Sequence, residues 1–353
     1  MSPMTFLILA AGLTLLWYGA ELLVRGASAL AVSAGVSRLA IGLTVVAYGT
    51  SMPEMAVSVM TSWQGQAGIS IGNVVGSNIF NVLFILGLAS VLAPTVVAHQ
   101  VVWLEVPIMI AASVLLILFS LDGMLVRWEG ALLFALVITY TVWTLRRSRR
   151  ELRAHPEPEA ATPATSSLSR QVAEIIGGLT MLILGSKFLI DAAVAIARAL
   201  GVGELVIGLT IVAAGTSLPE LATSVVASLR GEGDISVGNI VGSNIFNILA
   251  VLGLSSLVAP LTVPLAALTF DMPVMLAVAV VCLPVCMAGH IISRWDGLIF
   301  LFYYIVYVFF LVLTAINHDS RHLLGHAVLW FTLPLTVMIL AFSLWRHRDG
   351  PRY

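Results

Sequence analysis

Residues 41–94 begin IGLTVVAYGTSMPE and go on through GNVVGSNIFN, and residues 207–260 begin IGLTIVAAGTSLPE and go on through GNIVGSNIFN. The second stretch lies 166 residues after the first, and 34 of the 54 aligned positions are identical without a gap. In each copy one carboxylate, Glu54 or Glu220, stands directly after a proline within an apolar span. The chain is therefore organised around two copies of one polar site.

The surrounding sequence says where such a site must sit. Of 353 residues, 59% are hydrophobic and 10% charged, with a mean hydropathy of +1.04. That balance belongs to a polytopic membrane protein and excludes a water-soluble core. At about 20 apolar residues per spanning helix, eleven candidate spans centre near residues 13, 50, 81, 110, 137, 183, 216, 247, 277, 305 and 335. The N-terminus lacks a basic flank and a small-residue cleavage site, so it reads as a retained first helix. Cys282 and Cys286 lie one turn apart within a span, which argues for apolar packing rather than a disulfide framework.

Ten of the spans form two sets of five. Glu105 before Pro107 and RWEG at Arg127 to Gly130 recur as Asp271 before Pro273 and RWDG at Arg294 to Gly297. The expected organisation is a first repeat over 1–145, a linker over 146–170, a second repeat over 171–316, and an extra helix with its tail over 317–353. The linker, basic and then rich in Pro, Ala, Ser and Thr, is expected to be disordered. With the N-terminus outside, thirteen Lys and Arg fall inside and three outside, Lys187 lying in a span. Basic residues mark the cytoplasmic face, so linker and C-terminus are expected there. Because five is odd, the second set must enter the membrane from the opposite side. The expected fold is thus all-α and polytopic: two inverted five-helix repeats with discontinuous helices at the midplane, plus one peripheral C-terminal helix. The triplet His318, His322 and His326 reads as part of a solvated loop before that helix.

Proline removes a backbone donor and disrupts the preceding turn, so Pro53 should break its helix near Gly49. Irregular backbone at membrane depth survives only where protein or a polar cavity covers it. Thr50, Glu54 and Ser58 then share one face, as do Asn73, Ser77 and Asn81. Asn73 also reads as a helix N-cap and Ser77 as interhelical glue. Elsewhere, Glu21 with Arg25 and Lys187 with Asp191 read as ion pairs within helices. Glu105 and Asp271 read as acids at the positive end of a helix dipole.

An intramembrane charge costs about 2.5 to 3.5 kcal/mol on insertion scales, so two at equivalent positions suggest a function. Around them the sequence offers amides of Asn81 and Asn247, hydroxyls of Ser51, Ser77, Ser217 and Ser243, and loosened carbonyls near Ala47, Thr50, Ala213 and Thr216. All are oxygen donors, which disfavours Zn2+ and Cu+ and suits Ca2+, a cation that takes six to eight oxygens in flexible geometry. Two negative charges balance one Ca2+ or two or more Na+.

At these residues the chain resembles the calcium/cation antiporter superfamily, and within it the sodium/calcium exchangers of the short prokaryotic type. The resemblance rests on the duplicated GTSxPE and GSN and covers the chain to about residue 316. It implies Na+/Ca2+ exchange by alternating access between inverted repeats, with Ca2+ and Na+ as transported ions; no prosthetic group or obligatory protein partner is expected, and the compactness of the chain suggests a bacterial inner membrane. It also implies that Glu54 and Glu220 are the central ion ligands, with Asn81, the flanking serines and the Thr50 and Thr216 carbonyls as further donors. Some family members, the K+-dependent branch among them, have aspartate where this chain has Asn247, which argues against K+ cotransport. The alternative on the same fold is H+/Ca2+ antiport, but the proton-coupled branch typically carries GNxxE in place of GTSxPE. A gated channel fits inverted repeats poorly, and for an enzyme the motif serines have no histidine in a neighbouring span at similar depth.

Overall fold

The structure is a computed structural model and describes residues 3–154, 167–201, 207 and 213–315. The first half contains α1 (Pro3–Ala34), α2 (Arg38–Thr50), α3 (Met52–Trp63), α4 (Ala67–Leu92), α5 (Val101–Phe119) and α6 (Arg127–Ala154). The second contains α7 (Leu168–Ala199), the short α8 (Ala213–Gly215), α9 (Leu218–Leu229), α10 (Gly233–Val258), α11 (Ala267–Met287) and α12 (Arg294–Ala315). Among the described residues, eight helices are long and apolar enough to cross a membrane. The expected second span is divided into α2 and α3, and the second-half counterpart is described only from α8 onward. The eleventh span and the three histidines before it lie outside the described residues.

Helices α4 and α10 form the centre, with 78% and 89% of their apolar windows buried against 17 to 44% for the other six. Their composition explains the placement. Both carry the GNxxGSNxFN run, whose amides need partners inside protein, and in α10 its glycines Gly238 and Gly242 bring the helix against the backbone of α2. The other long helices show continuous apolar faces to the outside.

Glycine also sets the contact between α1 and α7. A Cβ added at Gly12 would meet the Gly185 carbonyl at 3.0 Å, one at Gly19 the Gly178 carbonyl at 2.9 Å, and one at Gly26 the Gln171 carbonyl at 3.0 Å. Numbers rise along one helix as they fall along the other, so the two run antiparallel with their backbones in contact. Two short antiparallel ladders tie the halves together at their loops. Strand β1 (Thr95–Val96) pairs with β4 (Ile291–Ile292), and β2 (Met124–Leu125) pairs with β3 (Leu261–Thr262). The beginnings of α6 and α12 are capped by the acids of RWEG and RWDG. Glu129 accepts from the Val126 N–H at 2.9 Å, and Asp296 from the Ser293 N–H at 2.9 Å.

Several local expectations are corrected. The basic start of the linker is helical, because α6 continues to Ala154. Arg147 pairs with Glu151 one turn on, and Ser148 accepts the Ser37 N–H at 2.7 Å, which anchors the extension to the start of α2. Glu21 pairs with Arg230 across helices rather than with Arg25 along its own. Glu105 and Asp271 stand inside helical runs, beyond the first turn where the dipole acts. Buried Glu105 instead accepts from Gln100 Nε2 and Tyr140 OH, each at 2.7 Å, and Asp271 accepts from Tyr307 OH at 3.1 Å. A second irregularity, absent from the sequence reading, is the wide π turn at Asn81–Leu86 and its counterpart at Asn247–Leu252.

The α1 contact makes a sharp comparison. At Gly178 a Cβ would meet the Gly19 carbonyl and the Leu23 amide nitrogen at 2.7 Å, both backbone, whereas at Gly177 the nearest atom is a Leu22 methyl at 3.3 Å. Gly178→Leu should lower the melting temperature of the detergent-solubilised protein, at a cost of about 1 to 3 kcal/mol or more. Gly177→Leu should cost little, and a melting series of the two variants checks it.

Candidate ion-binding site

The two GTSxPE motifs meet through crossed hydrogen bonds. Ser51 donates to Glu220 Oε1 at 2.7 Å, and Ser217 donates to Glu54 Oε1 at 2.8 Å. Both serines and both glutamates are buried. The serines reach across because each closes one helix and opens the next. Ser51 has φ −82° and ψ 7°, and Ser217 has φ −89° and ψ 9°, with Pro53 and Pro219 in the first turn that follows. Proline is tolerated there because a first-turn N–H has no helical partner to lose. Across Ser51 the ladder continues, with Ser51 N–H to the Ala47 carbonyl at 3.0 Å and Met55 N–H to the Ser51 carbonyl at 3.1 Å. The expected break is thus a one-residue interruption rather than an open gap.

The same exchange repeats outward. Thr50 donates to Asn239 Oδ1 at 3.0 Å, and Thr216 donates to Asn73 Oδ1 at 3.3 Å. Asn73 Nδ2 in turn donates to Ser58 Oγ at 2.9 Å and to the Glu54 carbonyl at 3.3 Å, and Asn239 does the same to Ser224 and Glu220 at equal distances. Asn73 lies inside α4 and is no N-cap. The Ser77 and Ser217 hydroxyl oxygens lie 3.1 Å apart, so Ser77 links helices as glue while lying beside Glu54. Ser243 donates to the Ala47 carbonyl at 3.4 Å. That carbonyl therefore already accepts from Ser51 and Ser243. The side chain of Ala213 lies outside those described.

The remaining two expected donors sit where the π turns begin. Helix α9, which carries Glu220, packs on the turn opened by Asn81, and α3, which carries Glu54, packs on the turn opened by Asn247. Four buried oxygens here have no hydrogen-bond donor: Glu54 Oε2, Glu220 Oε2, Asn81 Oδ1 and Asn247 Oδ1. They form two equivalent pairs, 166 residues apart. A buried acceptor without a partner costs about 1 to 3 kcal/mol, more when charged, and these four stand at equivalent positions of the two copies. Among the described residues there is no group of three or more His, Cys, Asp or Glu that could hold a metal. The oxygen set, with its amides and hydroxyls, suits hard cations such as Ca2+ and Na+.

Sequence reasoning missed Asn78 and Asn244, the asparagines of GSN, and the clamp role of Asn239 with Ser224. All four are buried at the centre. Their signal was present. Asn78 stands three residues before Asn81, adjacent to it on the helix surface, a neighbour that four-residue spacing alone overlooks.

A family profile described as sodium/calcium exchanger protein matches residues 4–146 and again 171–313. Putative antiporter CaxA of Alkalimonas amylolytica is 39% identical over 306 residues, covering 85% of this chain and 96% of that protein. Sodium/calcium exchanger MaX1 of Methanosarcina acetivorans is 34% identical over 344 residues, covering 87% and 98%. Inner membrane protein YrbG of Escherichia coli K12 is 38% identical over 288 residues, covering 78% and 86%. Among solved structures, the sodium-calcium exchanger NCX_Mj superposes with a TM-score of 0.75 at 32% identity, covering 87% of this chain and 98% of that one. With both halves matched by one profile and relatives of this identity along nearly their whole length, the chain is an integral membrane protein of the sodium/calcium exchanger family.

Proposed function

We propose that this protein exchanges Na+ for Ca2+ across a membrane by alternating access, at the site shared by Glu54 and Glu220. The observation that carries the proposal is the set of four buried, donorless oxygens. A cation is the partner they lack. Two carboxylates supply two negative charges, which one Ca2+ or two Na+ neutralise. Uncompensated, such a pair costs several kcal/mol to keep away from water, so the protein must carry one cation or the other between its states. Mutually exclusive loading is the physical basis of antiport.

Further donors in this reading are the hydroxyls of Ser51, Ser77, Ser217 and Ser243 and the carbonyls of Ala47, Thr50, Ala213 and Thr216. The halves act as inverted repeats, a reading supported by the antiparallel α1 and α7 and by the crossed hydrogen bonds. Movement of one half against the other then exposes the site to each side in turn. The N-terminus lies outside and the linker over 146–170 and the C-terminus inside, by the basic-residue count. The host membrane is a bacterial inner membrane, as the name of YrbG supports.

The test is Ca2+ uptake into Na+-loaded proteoliposomes. An outward Na+ gradient should drive uptake, and collapsing it should stop the flux; uptake driven by a pH gradient alone would instead establish proton coupling. Glu54→Gln and Glu220→Gln should each reduce Ca2+ uptake more than about 100-fold, since removing one charge from a buried set costs about 3 kcal/mol or more. Near-normal transport by either would place the site elsewhere. Ser51→Ala and Ser217→Ala each remove one hydrogen bond to a carboxylate, worth about 1.5 to 3 kcal/mol. Both should raise the Ca2+ KM by roughly tenfold or more, and by similar factors, because each serine serves the opposite copy.

A further inference from the structure

Asn78 and Asn244 make no hydrogen bond to the four donorless oxygens, yet each is hydrogen-bonded to an amide that carries one. Asn247 Nδ2 donates to Asn78 Oδ1 at 3.1 Å, and Asn81 Nδ2 donates to Asn244 Oδ1 at 3.0 Å. An amide has its oxygen and nitrogen on opposite sides of one carbon. Holding the nitrogen therefore fixes the direction of the oxygen. The oxygens so directed, Asn81 Oδ1 and Asn247 Oδ1, are the ones left without donors. From this geometry we infer that Asn78 and Asn244 are positioning residues, which turn the amide oxygens of Asn247 and Asn81 toward the ion and hold them there. The inference rests on the ion-binding reading of the site.

The holders are themselves held, and unequally. Asn78 Nδ2 donates to the Asn244 carbonyl at 3.2 Å, a strong backbone acceptor, so its own oxygen is left for Asn247. Asn244 Nδ2 reaches only Met109 Sδ at 3.2 Å, a weak acceptor. All four asparagines are at most 3% exposed, which leaves no water to replace a lost partner. The bond to Asn78 also demands an amide at position 247, since a carboxylate there has no proton to give. Control of the second copy's ligand thus passes through the first copy's asparagine, and the reverse. Because Asn78 is fixed more firmly, its loss should weaken ion binding more than loss of Asn244.

The test is a double-mutant cycle on the full-length protein in proteoliposomes, with the KM and maximal rate of Ca2+ uptake as readouts. A parallel readout is the Ca2+-induced shift in melting temperature of the detergent-solubilised protein, which does not depend on Na+ coupling. Removing a residue that orients a metal ligand typically costs 10- to 100-fold in affinity. Asn78→Leu should accordingly raise the Ca2+ KM at least tenfold, keep most of the maximal rate, and shrink the Ca2+-induced shift; Asn244→Leu should do so by a smaller factor. If Asn78 acts through Asn247, Asn78→Leu should add nothing to the KM of Asn247→Ala. Effects that multiply instead, or an unchanged KM in Asn78→Leu, would overturn the inference and leave Asn78 a packing residue. Should Asn78→Leu not fold, Asn78→Ser in the same cycle carries the same two outcomes. Wild-type protein that neither takes up Ca2+ nor is stabilised by it would refute the ion-binding reading itself, a result separate from failure of the cycle.

Discussion

Everything at the centre of this protein depends on one constraint: each glutamate is hydrogen-bonded by the serine of the opposite copy. Ser51 serves Glu220 and Ser217 serves Glu54, so neither half contains a complete site. The pairing exists because a proline two residues after each serine permits a helix to end and restart there. A hydroxyl that would otherwise bond back to its own helix is turned across the interface. Thr50 with Asn239 and Thr216 with Asn73 extend the same exchange one step outward.

Close approach of the two halves is the condition for those short bonds. Glycines bring α1 within backbone contact of α7, and others do the same elsewhere. A Cβ at Gly242 would meet the Leu43 carbonyl at 2.6 Å, and one at Gly297 the Gly87 carbonyl at 2.5 Å. Between apolar helices in lipid there is little hydrophobic drive to associate, so packing and interhelical hydrogen bonds must hold the bundle. This explains why small residues line the contacts while asparagines and serines recur along α4 and α10. The centre spends stability to hold four acceptors without donors, and the surrounding network of satisfied amides and hydroxyls offsets that cost.

Much of this was legible in the chain. The duplicated motif by itself singles out both glutamates, both serines and both π-turn asparagines, because acids and amides in apolar spans have few bland explanations. Other residues were misjudged for a common reason: partners were sought along one helix when they lay on another. Glu21 found Arg230, Asn73 found Ser58 and Thr216, and Glu105 found Tyr140 as well as its near neighbour Gln100. Arg147 and Ser148, assigned to a disordered linker on composition, extend a helix because Ser37 waits beside them. Asn78 and Asn244 escape that reading because their partners are the amides of Asn247 and Asn81 in the opposite copy.

By itself, the sequence determined that the chain lives in lipid, that it is a duplication, and that each copy brings one acid behind a proline. These follow from composition, period and covalent chemistry, which do not depend on distant contacts. Only the tertiary structure decided which hydroxyl bonds which carboxylate, where the helices unwind to π turns, and which oxygens remain without a donor. Those facts depend on distances between residues some 140 to 190 positions apart. Spacing along one helix carries no information about a partner on another, because helix packing alone sets their separation.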